Sequence, residues 1–182
     1  MPPALTSHLL PRCASSTRGL LVAKDRRVQL LLTVFAQAFG GASWHGTPLA
    51  GALRGVSPRR ALWRPQRGRH NIWELVLHTA YWKNAVRRRL TRDEAVTFPR
   101  SGANFPALPA RPTAAQWKRD VALLKREHAL LRRAIARIAP ARLGQRVWQS
   151  RWNAAATVVG IASHDLYHAG QIQLLKRLQR GD

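Results

Sequence analysis

The sequence predicts an all-α protein: four long helices, with long loops after the first and the second. Three observations predict it. Four segments place apolar residues three and four positions apart, the spacing of one helix face. Helix formers (Ala, Leu, Arg, Gln) are plentiful and no long alternating strand pattern occurs. The chain has 182 residues, 46% hydrophobic and 21% charged, enough for one globular domain with its own core and too apolar for a disordered chain.

Residues 1–24 carry no acid, three basic residues, Pro2, Pro3, Ser15 and Ser16, and lack the continuous apolar run of a secretory signal. They read as a disordered tail or a mis-called translation start, ahead of a helical domain over 25–182.

The first helix spans roughly 25–40, with Val28, Leu31, Leu32, Phe35 and Phe39 on one face and Gly40-Gly41 as its stop. An irregular stretch with Pro48, Pro58 and Pro65 follows over 41–70. The second helix spans 71–91, capped by Asn71, with Leu75, His78, Thr79, Trp82 and Val86 as its stripe. A proline-rich connection over 92–112 leads to the third helix, 113–138, capped by Thr113 and closed by Pro140. Its stripe (Trp117, Val121, Leu124, His128, Leu131, Ile135, Ile138) alternates spacings of four and three, a bundle seam. The fourth helix spans 154–179, with Ile161, His164, His168, Ile172 and Leu175 facing inward. Gly160 and Gly170 lie inside it, and close packing or approach to a site is the expected reason. The 92–112 linker can span the length of a bundle, so the second and third helices can be parallel; linker length alone leaves the antiparallel order open.

The net charge is +23, from 31 basic and 8 acidic residues. Two readings compete: contact with nucleic acid or another anionic partner, or a solvated surface biased by GC-rich codons, since 26 of the 31 are arginine. The charge is spread along the chain without a basic block, which favours the second. One cysteine, Cys13, excludes an intrachain disulfide and fits a reducing cytoplasm. No apolar stretch approaches the ~18 residues of a membrane span. A homodimer is compatible with all of this.

The strongest chemical signal is His164-Asp165-Leu166-Tyr167-His168. Residues four apart share a helix face, so two imidazoles reach one metal ion. Both fall on an apolar stripe, as does His78 on the second helix. A buried ring without partners costs about 1–3 kcal/mol, and one metal would satisfy three inward rings together. Three separately hydrogen-bonded core histidines are the competing reading. Three neutral ligands leave a coordination position open, the layout of a catalytic site. Glu74, one turn before His78, is either the acceptor that orients an imidazole or a solvated first-turn acid. Gln171, three residues past His168, is a candidate to face the site, and Trp82 is a wall of the pocket or plain core. His128 is a fourth-ligand candidate or a hydrogen-bonded core residue. His45, in Trp44-His45-Gly46, is a cover for the metal or a surface loop residue.

The runs Ile72-Trp73-Glu74-Leu75-Val76-Leu77-His78-Thr79-Ala80-Tyr81-Trp82 and His164-Asp165-Leu166-Tyr167-His168-Ala169-Gly170-Gln171-Ile172, with Trp44-His45-Gly46 ahead of them, resemble the DinB/YfiT-like family over roughly 25–180. The resemblance implies a four-helix bundle of up-down-down-up topology. It also implies one divalent metal, zinc or nickel above others, on His78, His164 and His168. Characterised relatives include thiol-dependent transferases and isomerases that use mycothiol, bacillithiol or glutathione, which implies a small-molecule substrate and a low-molecular-weight thiol cosubstrate. The charge of +23 departs from that pattern and keeps a nucleic-acid binder as one alternative; a metal-stabilised scaffold without turnover is another.

Overall fold

The computed structural model describes residues 25–180, and over them the chain is helical with no strand. The elements are α1 (Arg26–Phe39), α2 (Leu49–Ala52), α3 (Pro58–Leu62), α4 (Ile72–Thr91), α5 (Ala114–Ala136) and α6 (Ala154–Leu178), with a 3₁₀ turn at Pro140–Arg142. The expected N-terminal tail lies outside the described residues.

Local chemistry sets the helix starts. The Asn71 side chain accepts from the Glu74 amide while the Glu74 carboxylate accepts from the Asn71 amide, and Thr113 and Gln116 repeat this reciprocal cap on α5. Asp25 caps α1 and Asn153 caps α6. Such a cap contributes about 1 kcal/mol. The stops differ from expectation at α5. It ends at Ala136, where Arg137 and Ile138 bond back three residues in a tight turn, so Pro140 begins the next turn and does not end the helix.

The 41–70 stretch is more ordered than its prolines suggest. Pro48 precedes the first residue of α2, and Pro58 is the first residue of α3, with Ser57 as cap. Proline at a helix start lacks only an N–H that would be unpaired anyway, so these prolines open turns. The segment folds back onto α6. Lys176 Nζ donates to the carbonyls of Ala52 (3.0 Å) and Arg54 (3.1 Å), and Gln179 exchanges two hydrogen bonds with Arg60.

The four long helices pack around two apolar clusters. One holds Leu32 and Phe35 of α1, Val86 and Leu90 of α4, Leu131 and Ile135 of α5, and Val158 and Ile161 of α6. The other holds Leu49, Trp73, Leu77, Trp117, Leu124 and Ile172. A polar layer falls between them: Lys83 and Asn84, Glu127, and Asp165 and His168, all buried. Trp73 Nε1 donates to Asp120 (2.8 Å), and Arg87 pairs with Glu127 (3.0 Å), tying α4 to α5. Lys83 Nζ meets Asp165 Oδ2 at 2.5 Å, tying α4 to α6.

The helix glycines lack the expected packing reason. A Cβ added at Gly160 or Gly170 would meet open space. Gly41 makes a close backbone approach: a Cβ there would lie 3.1 Å from the Ala36 carbonyl oxygen, at the end of α1.

Candidate metal centre

α4 and α6 cross at the polar layer, and the crossing brings His78, His164 and His168 together. The Nε2 atoms of His78 and His164 are 3.0 Å apart, and those of His168 and His164 3.1 Å. One nitrogen from each ring lies within 4.8 Å of the others. Helical spacing aligns the two α6 rings; the facing position on α4 supplies the third.

The other ring nitrogens decide what these atoms are. His78 Nδ1 is 2.8 Å from the Asn104 carbonyl, an acceptor, so Nδ1 carries the proton and Nε2 a lone pair. His168 Nδ1 is 2.7 Å from Gln171 Oε1, and the same holds there. His164 Nδ1 is buried and has no hydrogen-bond partner among the described residues. A proton on His164 Nε2 would face both lone pairs and leave its own Nδ1 bare; a proton on Nδ1 would leave three lone pairs converging. Neither arrangement satisfies the buried rings. A divalent cation would take all three converging Nε2 lone pairs, with the His164 proton on Nδ1. Metal–nitrogen bonds of about 2.0–2.1 Å in a tetrahedral site separate the nitrogens by roughly 3.3 Å, close to the two separations that His164 makes with His78 and His168. The donor set therefore fits a metal ion.

Burial keeps the ligands neutral, as a metal requires. Burial pushes His164 down to about 3, with the charges of His168, His78 and Lys83 acting in the same direction. Burial pushes His168 down to about 4 against its bond to Gln171. His78 is lowered by burial against its bond to Asn104.

A cavity of about 820 Å³ opens over the three histidines. Leu75, Phe105, Tyr167, Leu174, Leu175 and Leu178 give it apolar walls, with Arg69 and His70 at the rim. The Phe105 ring stacks between His78 (4.1 Å between centroids) and His70 (3.8 Å). Trp82 meets His78 and His164 edge-on and donates Nε1–H to Asn104 Oδ1 at 2.9 Å.

The remaining candidates go elsewhere. Glu74 makes no hydrogen bond to His78 among the described residues. It binds Arg64 through both oxygens (2.7 and 2.5 Å), takes His70 Nδ1 at 3.2 Å and completes the α4 cap. His128 stacks on Phe35 (4.4 Å) and Phe39 (3.8 Å), within the α1–α5 contact and away from the trio. His45 is exposed and lines a separate cleft with Thr47 and Gly170. Trp44 is 94% exposed.

Sequence reasoning missed Asn104, Phe105, Lys83 and Asp165. Asn104 carried a signal: it stands between Gly102 and Pro106, and asparagine tolerates the left-handed backbone (φ 63°) it adopts there. Asp165 sits between the two α6 histidines, on the α4 side, fully buried.

Comparison with family models matches the DinB superfamily over residues 43–172, a span that holds all three histidines and Asn104. No curated protein and no solved structure matched the chain. A match over well more than half its length places the chain in a family, and this protein belongs to the DinB superfamily.

Proposed function

We propose that this protein holds one divalent metal ion, zinc or nickel, through Nε2 of His78, His164 and His168, and uses it in a thiol-dependent transfer or isomerisation of a small substrate. The observation that carries the metal is the anchoring of two Nδ1 atoms, to the Asn104 carbonyl and Gln171, which turns two Nε2 lone pairs onto a third ring. The DinB superfamily is metal-associated, which supports the same reading.

A metal bound there supplies positive charge that draws a thiol into its thiolate form at neutral pH. The protein's own groups do the rest. Asn104 and Gln171 orient imidazoles. Phe105, Tyr167 and Trp82 shield the trio from bulk water. Arg69 stands at the cavity rim, where an acidic group of a thiol cosubstrate would pass. Arg64 is committed to Glu74 instead.

We read the helix order as up-down-down-up. Trp73 pairs with Asp120 and Arg87 with Glu127, in the same sequence order along α4 and α5. Phe39 and Phe35 meet His128, while Leu31 and Leu32 share a cluster with Leu131 and Ile135, the opposite order along α1 and α5.

Elemental analysis of the full chain, purified without added metal, tests the first half. Near-stoichiometric metal is expected, lost in His78→Ala, His164→Ala and His168→Ala. Unchanged metal content in these variants would sink the site. Consumption of mycothiol, bacillithiol or glutathione with an electrophile tests the second half. A metal-loaded protein that consumes none of them is a scaffold.

A further inference from the structure

The far end of the bundle carries a second cleft. It lies where α4 and α5 finish and α6 begins, with the apolar cluster of Val86, Leu90 and Ile135 between it and the histidines. Its volume is about 360 Å³, within the range that holds small organic ligands. Among the described residues it is lined by Arg87, Arg133, Arg137, Arg142 and Arg146, and by no carboxylate. These come from three places in the chain: α4, the end of α5, and the turn that leads to α6. Its floor is apolar, made by Leu90, Ile138 and Val147.

Helix-end electrostatics account for only part of this charge. The C-termini of α4 and α5 each present about −0.5 of a charge. Glu127 offsets one more, through its 3.0 Å bond to Arg87. Five guanidiniums against roughly two negative charges leave a surplus of about three. The buried Arg87 Nε also has no hydrogen-bond partner among the described residues. Cations at helix ends usually fan into water. Here four of the five are exposed to water, yet all five border one concave surface, which focuses their field.

We propose that this cleft binds a small organic anion bearing two or more phosphoryl groups, with a ring or other apolar body on the Leu90–Ile138–Val147 floor. Guanidinium forks bind phosphate oxygens in pairs. Several forks around one pocket suit adjacent phosphoryl groups better than a single carboxylate. The concave apolar floor favours a free small molecule over the extended backbone of a nucleic acid, which tracks an open groove. The site is separate from the histidines and does not depend on what they bind.

Calorimetric titration of the full chain with ADP and with inorganic pyrophosphate, at about 0.15 M salt, tests this. ADP is expected to bind, pyrophosphate more weakly for want of the apolar body. Arg137→Ser and Arg146→Ser, both exposed positions, should each weaken ADP about tenfold, and the double variant more, with melting temperature and metal content unchanged. No ADP binding at millimolar concentration, or equal affinity in the double variant, overturns the proposal. A single-stranded oligonucleotide is the other arm. If it binds with steep salt dependence, loses that binding in the double variant, and ADP does not compete, the cleft belongs to nucleic acid and the small-molecule assignment fails.

Discussion

Gln171 Oε1 accepts the Nδ1 proton of His168 at 2.7 Å, three residues back on the same helix. This bond selects the tautomer that leaves His168 Nε2 free to ligate. Gln171→Ala should therefore keep the helix and the three histidines but weaken the metal by about 10–100-fold. Competition with a chromogenic chelator reads this directly. Identical curves for the two proteins would show that Gln171 does not orient the ring.

Glu74 belongs to the α4 cap and the Arg64–His70 cluster. Glu74→Ala should lower stability by about 1 kcal/mol and leave metal content at the wild-type level. Urea unfolding and elemental analysis separate the two effects. Metal loss in this variant would place Glu74 behind a ligand after all.

Lys83 and Asp165 form a fully buried pair. Burial lowers Lys83 and raises Asp165, each opposed by the other's charge and hydrogen bond. Removing one partner leaves the other buried alone. Lys83→Met or Asp165→Leu should each cost about 3–5 kcal/mol, and the double variant much less than the sum. Chemical denaturation of all four proteins measures the coupling. Additive costs would mean the two groups are stabilised independently.

His128 is held down to about 3 by burial and by the charges of Lys83 on α4 and Arg132 on its own helix, while α1 offers it only the rings of Phe35 and Phe39. Its unfolded value is about 6.5. The unfolded chain thus binds the proton more readily. Stability carried by neutral His128 is full above about pH 6.5 and declines as pH falls toward 3. His128→Phe should flatten the fall in melting temperature between pH 7 and 4. Parallel curves for the two proteins would refute this, since the other buried histidines are common to both.

Gly160 and Gly170 have open space where a Cβ would stand. Alanine at each should raise stability by about 0.5–1 kcal/mol, through helix propensity and a less flexible unfolded chain. A drop in melting temperature at Gly160→Ala would point to a contact outside the described residues.

Much of the framework was legible because it is local. Asn71 and Thr113 cap the helices they were expected to cap, and Val28, Leu31 and Phe35 turn inward on α1 as their spacing requires. The second long loop was not legible as part of the site. Asn104 and Phe105 reach His78 from 26 and 27 positions away, and no periodicity encodes a contact across a loop. The fate of Glu74 was hidden for a related reason. One turn from His78 it had two available roles, and the approach of Arg64 from the preceding loop decided between them.

The sequence by itself determined that His164 and His168 share one face of α6, since a 3.6-residue turn brings residues four apart into line. It also determined that the chain is helical and where its long helices begin. Only the tertiary structure decided that His78 Nε2 lies 3.0 Å from His164 Nε2, that Asn104 holds the His78 tautomer, and that His128 stacks in another part of the core. The physical reason is range. Helix geometry and capping act within four residues, whereas these partners meet only after packing brings distant segments together.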